Sequence, residues 1–202
     1  MAVFAITGRS GCGKSTVASL LKAKGAVTLD CDDLVHSYYR DCRSLGYQRT
    51  AAAFPEAVKQ GEISRERLGK IVFADKNRLS RLEKIIHPLV IRDMREWIAK
   101  SRLEKGVFLV EVPLLFETKL EKYFDAVILV RCPRNILVKR LRALTGCSRQ
   151  EALRRLTLFL PDQDKASRSK YVIDNKTGKK TLRVKTAALW DKLIGNNQRR
   201  KP

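Results

Sequence analysis

Residues Gly8, Arg9, Ser10, Gly11, Cys12, Gly13, Lys14 and Ser15 spell G-x-x-x-x-G-K-S, set between an apolar run, AVFAIT, and the helical pattern of KSTVASLLKAKG. Glycine loses more backbone entropy on folding than any other residue, so three glycines in the first turn point to a ligand that must approach bare backbone. A loop of this spacing after a strand and at the start of a helix cradles phosphate. Its N–H groups turn inward on phosphate oxygens, and the helix N-terminus adds partial positive charge. Lys14 is expected to reach the β and γ phosphates, and the Ser15 hydroxyl to coordinate magnesium, with Thr16 next in the loop. A nucleoside triphosphate ligand is predicted; the fate of its phosphate is not.

Further strands follow the loop. AVTLD ends on an acid; VFLVEV at 107–112 and DAVILVR at 125–131 are unbroken apolar and β-branched runs, as parallel strands covered on both faces require; YVID at 171–174 is a candidate fifth. Helical patterns at Pro133 to Leu144, Ser148 to Phe159 and Lys179 to Leu193 alternate with them, giving α/β order. The stretch from about Leu34 to Arg102 reads as almost wholly helical and interrupts that order, as an inserted subdomain would. Within it Pro88 is expected to break a helix and leave His87 at a junction. The last residues, NNQRRKP, read as a basic tail.

The formal net charge of +21 on 202 residues calls for anionic partners without separating small phosphates from nucleic acid. Five cysteines with no CxxC pair and two histidines suggest neither a disulfide framework nor a structural zinc site. MAVFAIT lacks a basic leader, and no apolar run nears the roughly twenty residues of a membrane helix, so a cytoplasmic protein without membrane attachment is expected.

Asp30 and Asp32 close the second strand in TLDCDDLVH, at the edge where open α/β folds place ligands. Alternate strand residues share a face, so one acid suits magnesium and the other an acceptor hydroxyl. Against this, Asp32 or Asp33 serves equally well as N-cap of the following helix. Glu111 ends VFLVEV, a position from which an acid reaches magnesium through water, and VPLLF after it is either a substrate wall or plain core. Arg140, Arg149 and Arg155 lie in a basic region able to close over a triphosphate. A kinase of nucleosides or nucleotides and a nucleic-acid-associated ATPase both remain open on these residues alone.

The order TGRSGCGKSTVA, LDCDDLVH, LGKIVFAD, IIHPLV, VPLLFE, SRQEALRRL and VIDN resembles the dephospho-coenzyme A kinase family almost end to end. The HPL and PLLFE pieces set it apart from other small kinases that carry the phosphate loop. The resemblance implies an α/β, P-loop NTPase-type three-layer fold with a parallel five-stranded sheet. A core at 1–33 and 103–202 would carry a helical lid at about 142–165, and 34–102 would form a helical substrate domain. It implies ATP and Mg2+ as cofactors, dephospho-CoA as acceptor, no obligate nucleic acid, and a monomer or weak homo-oligomer. By the same likeness Asp32 is the general base, while Lys14 and Arg140 stabilise the transferring charge. His36, Arg67, His87, Leu114 and Phe116 face the acceptor. Gly8, Gly11, Cys12, Gly13, Lys14, Ser15 and Thr16 with Arg149 and Asn175 hold ATP, and Ser15, Asp30 and Glu111 serve the metal. Arg9, Leu144 and Phe159 depart from the family pattern, where glycine, arginine and glutamine are usual, and the family's Pro-Gly-Gly turn is missing from YRDCRSLGYQRTAAAF.

Overall fold

The structure, a computed structural model, describes residues 1–157 and 159–198. The chain divides into two compact units, one of Met1–Leu29 with the chain from Ile98 onward, the other of Asp30–Trp97.

In the first unit the element order is β1 (Val3–Thr7), α1 (Lys14–Lys22), β2 (Val27–Asp30), and then, after the second unit, β5 (Phe108–Glu111), β6 (Ala126–Arg131), α6 (Arg134–Thr145), α7 (Arg149–Leu156), α8 (Asp162–Ser167), β7 (Tyr171–Asp174) and α9 (Lys179–Gln198). The five strands form one sheet in the order β2-β5-β1-β6-β7. β1 is parallel to β5 and to β6, and β6 to β7, with Ile6 opposite Glu111 and Ile128, and Arg131 opposite Asp174. All of β1 and β5 is buried, which explains their lack of polar alternation: both faces of the sheet are covered. Phe4, Ile6, Leu109, Ile128 and Leu129 are at most 2% exposed, and each such side chain contributes about 1.5–3 kcal/mol of hydrophobic stabilisation. α1 turns Val17, Ala18 and Leu21 into this core, and α6 turns Leu137, Val138 and Leu141. Gly146, at φ 68, ends α6, and Ser148 caps α7 by accepting the Glu151 N–H.

The second unit holds α2 (Cys31–Arg40), α3 (Leu45–Ala53), a two-stranded hairpin of β3 (Val58–Lys59) and β4 (Glu62–Ile63), α4 (Arg65–Ala74) and most of α5 (Lys76–Ser101). Its core gathers Phe54, Ala57, Ile63, Leu68, Val72, Ile86 and Leu89. Two expectations for this segment are corrected. It is not wholly helical, because Gln60 (φ 51) and Gly61 (φ 81) make the paired positive-φ turn that favours a two-residue hairpin. Nor does Pro88 break a helix: α5 runs through it for 26 residues, so His87 sits mid-helix and not at a junction. Proline removes one donor from the ladder, but Ile86 and Leu89, each 6% exposed, anchor the helix in the core on both sides of it. The basic tail expected from residue 196 falls on the end of α9 and, from 199, outside the described residues. No helix among the described residues is long and apolar enough to cross a membrane.

Candidate active site

The phosphate loop joins β1 to α1 at the carboxyl edge of the sheet. Gly8 has φ 146 and Gly13 φ 101, and both need the absence of a side chain for a second reason. A Cβ on Gly8 would lie 2.1 Å from the Val130 carbonyl oxygen, and one on Gly13 would lie 2.6 Å from Asn175 Nδ2. The turn is closed by the Cys12 N–H donating to the Arg9 carbonyl at 3.1 Å, and α1 begins with the Val17 N–H donating to Gly13 O at 3.1 Å. Lys14 and Ser15 thus occupy the first turn of α1, where unpaired N–H groups and the helix dipole favour an anion.

Ser15 Oγ donates to Glu111 Oε2 at 3.1 Å, so a hydroxyl from α1 and a carboxylate from β5 stand side by side. Glu111 is only 6% exposed, a costly place for a charge without partners. Among the described residues no three His, Cys, Asp or Glu side chains assemble into a metal cage. The donor set suits magnesium, which takes one or two protein oxygens together with phosphates and water.

Arg140 reaches the loop, its Nη1 donating to Gly11 O at 3.3 Å. Arg149 stands exposed at the start of α7, and Arg155 pairs with Glu151 on the same helix. Asn175 is buried beneath the loop: its Nδ2 donates to Cys12 O at 2.8 Å and its own N–H to Arg131 O at 2.9 Å. Arg131 also pairs with Asp174 at 2.6 Å, which holds that carboxyl below its ordinary range. Burial pushes the Cys12 thiol up, against the opposing pull of Lys14. Leu114 is half-buried, whereas Phe116 is 2% exposed and lies under the Arg168 guanidinium, 4.5 Å from its ring centroid.

Of the residues expected to face the acceptor, His36, Arg67 and His87 lie in the second unit, as do Asp30 and Asp32. Asp30, and not Asp32 or Asp33, is the N-cap of α2, accepting from the Asp32 N–H at 2.8 Å and the Asp33 N–H at 3.4 Å. β2 runs into α2 with no intervening loop, so the cap falls on the last strand residue. Asp32 is therefore left exposed in the first turn of α2. One turn on, His36 Nδ1 is 3.6 Å from Asp33 Oδ1, and burial, then the Arg65 charge, lower its pKa, favouring a neutral ring. Arg67 is exposed in the first turn of α4, and His87 is half-buried on α5.

Sequence reasoning missed a buried pair. Lys165 is wholly buried, with its Nζ 2.7 Å from Glu117 Oε1, which also accepts the Leu160 N–H at 2.8 Å. The only sign was a carboxylate directly after the apolar PLLF; its partner lies 48 positions away, beyond any local pattern.

Known proteins match this chain over most of its length. The family model described as dephospho-CoA kinase matches residues 2–181. The chain is 36% identical over 193 residues to the dephospho-CoA kinase of Thermus thermophilus, covering 96% of this chain and 92% of that one. It is 33% identical over 194 residues to that of Agrobacterium fabrum, covering 96% and 98%. A crystal structure from Thermus thermophilus, titled TT1252, superposes with a TM-score of 0.76 at 36% identity, covering 96% and 97%. With its phosphate loop, its parallel five-stranded sheet and a family match that spans most of its length, the chain belongs to the dephospho-CoA kinase family.

Proposed function

We propose that this chain transfers the γ-phosphoryl group of ATP to the ribose 3′-hydroxyl of dephospho-CoA, releasing coenzyme A and ADP in the last step of CoA synthesis. The observation that carries this reading is a single family match over residues 2–181 on a chain whose phosphate loop has the geometry that phosphate binding demands.

The loop amides and Lys14 bind and orient the triphosphate, and Arg140, resting on Gly11 O, adds positive charge where the transferred group spreads its own. Ser15 and Glu111, with Asp30 at the end of β2, are the residues that would hold Mg2+, whose chemistry is to neutralise charge on the β and γ oxygens. Asp32, exposed in the first turn of α2, is the base: the acceptor oxygen bonds to the γ-phosphorus, the bond from phosphorus to the ADP oxygen breaks, and the acceptor proton passes to the carboxylate. His36, Arg67, His87 and Leu114 bind the acceptor, with residues 34–102 as the substrate domain and about 142–165 as the lid. A lid that excludes water protects ATP from hydrolysis.

The wild-type protein is expected to convert dephospho-CoA to coenzyme A with ATP and magnesium. Asp32→Asn is expected to keep its ATP affinity while kcat falls by roughly a hundredfold or more. An unchanged kcat removes Asp32 as base. Absence of coenzyme A from the wild-type reaction overturns the functional reading itself.

A further inference from the structure

Arg9 stands second in the phosphate loop, and its side chain reaches across to Leu160 and Asp162. Its Nη2 donates to the Leu160 carbonyl at 3.3 Å, and its Nε lies 3.1 Å from Asp162 Oδ1, with the two side chains 16% and 24% exposed. The ion pair is close but not aligned as a hydrogen bond, since Arg9 Nε and Asp162 Oδ1 are both buried without a hydrogen-bond partner. A pair held out of water in this way loses much if either member is removed, because the remaining charge is stranded.

The segment that Arg9 grips is fastened from its other side too. Glu117, in the loop after β5, accepts the Leu160 N–H at 2.8 Å and forms an ion pair with the Lys165 ammonium at 2.7 Å, and Arg168 pairs with Glu121. Residues 160–168 thus bridge the phosphate loop and the loop that follows Glu111. At the loop end the link is direct: the Arg9 carbonyl is the acceptor that fixes the Cys12 N–H at 3.1 Å, so the residue clamped outside by Asp162 also sets the turn inside.

We propose that Arg9 is a positioning residue for the triphosphate, acting through Asp162 and Leu160 and not by touching phosphate. Tying the loop to the segment before and into α8 holds the loop backbone ready for the anion, so ATP binding is spared the ordering of a free loop. This inference rests on the reading of the chain as an ATP-dependent kinase, and it goes beyond that reading by assigning a role to the residue that departs from the family pattern.

The test is ATP affinity by titration calorimetry on the full chain with no acceptor present. Arg9→Gly and Asp162→Asn are each expected to raise the Kd for ATP by roughly tenfold, about 1.4 kcal/mol. The double variant is expected to be no weaker than either single one, because both remove the same link. Arg9→Lys, which keeps the charge, is expected to recover part of the loss. If Arg9→Gly weakens ATP while Asp162→Asn leaves it unchanged or tightens it, Arg9 is a phosphate ligand and the proposal falls. Additive losses overturn it as well, as does a lowered melting temperature with unchanged Kd, which marks a purely structural pair. Failure of the wild-type chain to bind ATP removes the kinase reading instead.

Discussion

Gly8 shows how much one missing Cβ decides. At φ 146, with the Val130 carbonyl oxygen 2.1 Å from where a Cβ would sit, it lets β1 pass into the phosphate loop close against β6. Gly8→Ala is expected to displace the loop and raise the Kd for ATP at least tenfold; binding at wild-type strength would show that the loop tolerates the shift. Cys12 carries the opposite lesson. A thiol just ahead of a helix looks activated in a sequence, but here it is fully buried and its pKa is raised by desolvation. Folding favours the protonated thiol, so this contribution to stability is intact below the ordinary value of 9.0 and fades as pH rises past it. Iodoacetamide at pH 8 is expected to label the exposed Cys42 well before Cys12 in the native protein, and equal labelling would contradict the burial argument. Gly8, Lys14 and Ser15 could be singled out because adjacent spacing marks them. Asn175 was named by likeness alone, and its hold on the Cys12 carbonyl, 163 positions earlier, exists only in the fold.

Among the elements, strands were easiest to read, since β1 and β5 are buried throughout and β6 is buried at all but its two end residues, so none needs a periodicity beyond apolar runs. The second unit was harder. Its hairpin needs only two residues per strand, too short for a period, and the positive φ of Gln60 and Gly61 that closes it is seen only in the fold. Pro88 misled because local chemistry does break isolated helices, whereas α5 is fixed by its buried face. That proline still denies the Lys84 carbonyl its usual donor. Pro88→Ala is therefore expected to raise thermal stability by about 1–3 kcal/mol, seen as a higher melting midpoint. A fall would mean that α5 depends on a bend at the proline.

For the molecule as a whole, the charge of +21 fits a chain whose ligands are polyanions, since a positive field raises their local concentration whatever their identity. That generality is why charge could not choose between small phosphates and nucleic acid, and why the acceptor had to be read from the HPL and PLLFE pieces by likeness. The central claim is thus acceptor identity. It is tested most directly by comparing kcat/KM for ATP-dependent phosphorylation of dephospho-CoA, AMP and adenosine, with ADP release followed beside added nucleic acid. The account predicts that dephospho-CoA alone supports efficient turnover and yields coenzyme A phosphorylated at the 3′-hydroxyl. Preference for AMP or adenosine, or ADP release driven by nucleic acid, would contradict it while leaving the phosphate loop intact.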